Sequence, residues 1–213
     1  MSPRINGIFN FSLTYLDQMK IALVLIGLFM AGSSFAQDQN LPYQQIPEYP
    51  DNYSAGNAMG RLIDGLGFRY YWATEGLREQ DLAFRASEDS RSIEETLDHI
   101  YGLSLTIVNA PQSKPNVRPL DNEPTTFAEK RAATLENFRK AAELLKAGEA
   151  NAMEEYKVIF ERDGNQSEFP FWNMINGPIA DAIYHTGQVV TLRRVSGNPI
   201  NPKVSVFNGR LRD

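Results

Sequence analysis

Cysteine is absent from the 213 residues. Its absence excludes disulfides, a cysteine nucleophile, thiolate metal sites and a lipoprotein anchor cysteine. Histidine is scarce: His99 and His185 are the only two, so any imidazole chemistry rests on one or both of them. An excess of positive charge is missing as well. There are 21 Lys and Arg against 26 Asp and Glu, for a net charge of -5. A chain with that balance lacks the basic face that nucleic-acid binding needs, and no nucleic-acid partner is expected. Long apolar runs are also missing. The uncharged run at residues 21–31 has eleven residues, too few to span a bilayer comfortably.

That short run has another reading. Residues 19–36, MKIALVLIGLFMAGSSFA, place Lys20 before the apolar stretch and small residues, Ser34 and Ala36, at the -3 and -1 positions of a signal-peptidase site. Cleavage after Ala36 is expected, with an exported, periplasmic or extracellular product and no stable membrane anchor after processing. A buried helix is the alternative. Residues 1–18 are long for the region preceding a signal and carry Asp17, so translation is expected to start at Met19. The processed chain, 37–213, then carries 19 positive and 25 negative charges, a net of -6. Without crosslinks, its stability must come from packing or from a bound metal.

Composition fits one domain: 42% of residues are apolar and 22% charged, enough to bury a sizeable core. Residues 37–56 contain Pro42, Pro47 and Pro50 and read as an extended lead-in to a domain at 57–213. Met59, Leu62, Ile63, Leu66, Tyr70 and Ala73 recur at helical spacing. Ser92 with Glu95 forms a capping box, opening a helix whose apolar side is Ile93, Leu97, Ile100, Ser104 and Ile107. Thr125 or Thr126 caps a third helix with the stripe Leu135, Phe138, Ala142 and Leu145, closed by Gly148. The segment YKVIFE at 156–161 is β-branched and aromatic and precedes the turn signal DGNQ, which suggests a small hairpin; the tail of a helix is the alternative. Residues 169–195 read as a fourth helix that Pro178 should kink or interrupt unless it sits near the start, ended by Gly197. Four long helices define an all-α four-helix bundle with short extras.

On the last helix Asp181 and His185 are four apart, so both lie on one face. They border an apolar arc of Trp172, Ile175, Ile179, Ala182 and Val189, provided Pro178 does not shift the register. His99 flanks the corresponding arc of the second helix. Two imidazoles and a carboxylate leave open positions on a divalent ion, the catalytic form of a metal site. Spacing alone also admits a hydrogen-bonded structural His and a local Asp–His pair. Gln188 reads as an orienting group or a packing residue, and Asn176 as a partner of the ligands or a turn residue. Asp64 and Glu75 read as solvent-facing by default. Tyr70, Tyr71, Trp72 and Trp172 read as core or pocket wall, and Arg193 and Arg194 as complements of the helix dipole.

His99 within TLDHIYGL, and DAIYHTGQV followed by two arginines, resemble the DinB/YfiT-like superfamily of metal-dependent four-helix bundles. The resemblance runs over about residues 57–197, and its most specific part is the HxGQ signature of His185, Gly187 and Gln188. It implies a divalent metal held by one His of the second helix and an H-x-x-x-H pair of the last. His99 and His185 occupy two of those positions, and Asp181 replaces the first His of the pair. Asp still ligates zinc, nickel, manganese or iron, with a harder character. The family includes thiol-dependent transferases, an isomerase and hydrolases, so the resemblance implies a metal-dependent hydrolase or transferase acting on an unidentified small molecule. Export disfavours a cytosolic thiol cosubstrate and leaves hydrolysis ahead, and no residue stands out as a general base. A non-catalytic binding or structural bundle with a degenerate metal site is the second reading. A homodimer built on a bundle face is the third.

Overall fold

The protein is represented by a computed structural model that describes residues 41–119 and 123–213; the expected signal segment and processing site lie outside the described residues. Ser54 accepts from the backbone N–H of Asn57 and opens α1, Ala55–Thr74. A short α2, Glu79–Leu82, follows. The Ser92–Glu95 capping box starts α3, Ile93–Asn109. A second box, between Thr126 and Glu129, starts α4, Phe127–Ala147. After the short α5, Ala152–Glu155, and α6, Trp172–Met174, comes a π-helical turn, Ile175–Ile179, and then α7, Ala180–Val195. The last helix ends in a Schellman motif. Gly197, at φ 84°, donates to the Arg194 carbonyl and Asn198 to the Arg193 carbonyl.

The four long helices close a ring: α1 packs on α4, α4 on α3, α3 on α7, and α7 on α1. Their inward stripes follow the spacing. Ile63, Leu66 and Tyr70, then Ile93, Leu97, Ile100 and Ile107, then Leu135, Phe138 and Leu145 are all buried, with Ala182 and Val189 from α7. Tyr70 meets Phe138 edge-on at 5.9 Å between centroids. Leu62 departs from its stripe and stands exposed. Asp64 departs in the other direction. It is buried, accepts from the Tyr43 hydroxyl at 3.1 Å and pairs with Lys146, which ties the lead-in to α1 and α4.

A strictly all-α fold is corrected by the strands. The hairpin expected before the last helix is present: β2, Lys157–Arg162, pairs antiparallel with β3, Asn165–Pro170, around Asp163 and Gly164, both at positive φ. A third strand joins it: β1, Pro115–Val117, is parallel to β2. Asn116 donates to the Ile159 carbonyl at 2.8 Å across that pairing. A two-residue ribbon, β4 Val204–Ser205 with β5 Arg210–Leu211, lies near the C-terminus. No helix among the described residues is long and apolar enough to cross a membrane.

Candidate metal centre

The helix expected over residues 169–195 is interrupted at Pro178, one of the two disturbances expected there. Phe169 and Pro170 belong to β3, and the π turn separates α6 from α7. Pro178 has no N–H to give to the carbonyl four residues back. The ladder widens instead, and Ala180 donates to the Ile175 carbonyl five residues back. The extra residue shifts the register, so the arc does not continue through Trp172, which stands 75% exposed. Downstream the arc holds: Ile179, Ala182 and Val189 are buried.

This leaves Asp181 in the first turn of α7 and His185 one turn later, facing His99 on α3. Asp181 Oδ2 lies 3.0 Å from His99 Nε2, and Asp181 Oδ1 lies 3.3 Å from His185 Nε2. The imidazoles meet edge to face at 4.8 Å between centroids. One donor atom from each residue falls within 4.8 Å of the others. Ligands about 2.1 Å from a tetrahedral ion are separated by about 3.4 Å, and the three groups converge on that scale, the two close approaches running to different oxygens of Asp181. Side-chain exposure rises from 12% at His185 to 34% at His99 and 42% at Asp181, so the group opens to solvent on the Asp181 side.

Gln188 takes the orienting alternative. Its Oε1 lies 2.6 Å from His185 Nδ1. An amide oxygen accepts, so the contact places the proton on Nδ1 and leaves the Nε2 lone pair facing Asp181. That arrangement fixes the tautomer a metal-ligating imidazole requires. The three-residue spacing from His185 to Gln188 was the available signal, since it puts both on one helix face.

The other candidates lie elsewhere. Asn176 is exposed in the π turn. Asp64 is corrected from solvent-facing to buried, and Glu75 pairs with Arg131 at 2.6 Å. Trp72 donates to the Gln44 carbonyl, and Tyr70 and Tyr71 are core residues. Arg193 is corrected from a surface complement of its own helix to a buried clamp. Its guanidinium donates to the Trp72, Ala73 and Glu75 carbonyls at the end of α1 and to Asn198. Burial pulls its pKa below the usual arginine value.

A cavity of about 510 Å³ lies beside the triad, with Tyr184, His185 and Gln188 on one wall and Ser90 and Arg91 on the other. His185 is the one triad residue lining it.

No family model matches the chain, and no curated protein matches it. Among solved structures it is similar to a DinB-like protein from Bacillus subtilis, YjoA, with a TM-score of 0.47 and 14% identity over 70% of this chain and 98% of that one.

Proposed function

We propose that this protein is an exported DinB-like bundle that holds one divalent ion on His99, Asp181 and His185 and carries out metal-dependent hydrolysis of a small molecule. The observation that carries the reading is the triad itself: three donor atoms from two helices within 4.8 Å, with His185 held at its other nitrogen by Gln188. A bound divalent ion would supply Lewis acidity toward a carbonyl and a lowered pKa for a coordinated water. The chain's own contribution is positional. Helix α3 supplies one ligand and α7 two, while Gln188 holds the His185 ring. Two imidazoles and one carboxylate suit zinc, nickel, manganese or iron(II).

Metal analysis and calorimetry on tag-free protein test this. Wild type should take up about one equivalent at micromolar affinity, and His99→Ala and His185→Ala should each lose tight binding. Asp181→His, which completes a three-imidazole set, should bind zinc at least as tightly as wild type. Binding should weaken in acid, because imidazole must be neutral to ligate. Ester and amide turnover abolished by chelation and by His185→Ala would support the hydrolytic part. A non-catalytic bundle is the second reading. It is favoured by the direct contact of Asp181 Oδ2 with His99 Nε2 at 3.0 Å, which satisfies those two groups without an ion. Failure of every divalent ion at micromolar concentration would establish it.

A further inference from the structure

The polar groups of the cavity beside His185 are unevenly spent. The Ser90, Thr96 and Thr191 hydroxyls donate to the backbone carbonyls of Ser87, Ser92 and Gly187. Three donors lining the cavity have no hydrogen-bond partner among the described residues: the Arg91 guanidinium, the Tyr184 hydroxyl and the Gln188 amide nitrogen. No Asp or Glu among the described residues lines the cavity. Glu95, near enough to feel the charge of Arg91, is already held by two bonds from Arg85 at 2.7 and 2.8 Å. An acidic protein therefore presents an exposed cation, with no hydrogen-bond partner among the described residues, along the cavity beside its candidate metal centre. The volume suits a small organic molecule, and the remaining lining, Ala86, Leu192 and the Tyr184 ring, is apolar.

We propose that this cavity selects a small organic monocarboxylate, gripped at its carboxylate by Arg91 and directed at its other end toward His185, so that Arg91 determines the substrate class. A guanidinium fork matches a carboxylate in geometry. One cation also matches the single charge of a carboxylate better than the nearly double charge of a phosphate monoester. Arg91 lies in the loop just before α3 and His99 is on that helix, so one element carries both the anchor and a triad residue. The inference rests on the reading of His185 as part of the reacting centre, and it adds the chemistry of what approaches that centre.

The test uses the full chain and matched probe pairs: benzoate with benzamide, phenylacetate with phenylacetamide, and hydrocinnamate with hydrocinnamide. Binding is measured by ligand-observed NMR on chelator-treated and on zinc-loaded protein. In both forms at least one carboxylate should bind about tenfold more tightly than its amide, the scale of one charge-assisted fork. Arg91→Gln should bring the pair to within about twofold, and Arg91→Lys, keeping the charge without the fork, should fall between. Arg194→Gln, outside the cavity, should leave the preference intact. No carboxylate preference in any pair, a preference that survives Arg91→Gln, or one that only added zinc creates would each overturn the inference. Zinc affinity measured on the same samples separates the two readings. Selection by Arg91 without zinc binding removes the metal reading alone, and zinc binding without selection by Arg91 removes this inference alone.

Discussion

A candidate metal site made of two imidazoles and a carboxylate depends on which nitrogen of each ring is free, and at His185 one neighbouring amide decides it. Gln188 Oε1 sits 2.6 Å from Nδ1, and nothing else among the described residues competes for that nitrogen. Gln188→Ala should therefore weaken zinc binding by about ten- to a hundredfold, the usual effect of removing a group that orients a ligand. Gln188→Glu, which still accepts from Nδ1, should retain most of the affinity. Calorimetric titration of the two variants against wild type checks both expectations. The three residues stood out in the sequence as two scarce histidines and a helical i, i+4 pair, and the resemblance is what favoured a shared metal over a structural His and a local pair. The role of Gln188 was less legible. Glutamine at i+3 on a helix serves packing as readily as hydrogen bonding, and the side-chain torsions that decide between them leave no periodic trace.

The four long helices were legible from their apolar stripes, from the box at Ser92 and from a threonine cap at Thr125 or Thr126, because those signals are local and repeat along the chain. What escaped was whatever depends on a partner distant in sequence or on a short segment. Strand β1 has three residues and pairs with β2 about forty positions later, too brief for any alternation to show. Pro178 announced a disturbance, but its form, a π turn, follows from how the ladder closes around the missing N–H. Arg193 looked like a dipole complement because two arginines ended a helix. It does meet a helix C-terminus, but that of α1, through the Trp72 and Ala73 carbonyls. The clamp joins the ends of α1 and α7, and with them the helix that carries Asp181 and His185. Arg193→Ala leaves several buried carbonyls without a donor and should cost about 3 kcal/mol of unfolding free energy by urea titration. Arg193→Lys should recover only part of that, since one ammonium cannot reach the acceptors the fork spans.

At the scale of the whole molecule, stability without a crosslink rests on the helical core and on a few buried polar joints where distant segments meet. Asp81, fully buried after α1, accepts from Arg78 and also from Ser196 and Asn198 just past α7. The Arg78 side chain, then its backbone N–H and the two partners from the far end of the chain, hold the Asp81 carboxyl far below the usual carboxylate range, against the opposing effect of burial. A carboxyl depressed in the folded state stabilises it at all pH values above its unfolded pKa. That contribution is lost as pH falls below about 4, where the unfolded chain takes up the proton first. Asp81→Asn removes the charge while keeping the shape, so it should destabilise the protein by about 2 kcal/mol at neutral pH, the scale of hydrogen bonds to an ionised group. The gap between variant and wild type should stay constant from neutral pH down to about 5 and then narrow steadily toward pH 2. Glu95, Glu129 and Glu136 are also held low, chiefly by Arg85, by the Thr126 backbone N–H and by Arg139. Both proteins therefore lose stability in acid, and the difference between them isolates Asp81. Urea titrations at a series of pH values measure that difference. A gap unchanged down to pH 2 would show that the joint holds by shape and not by charge.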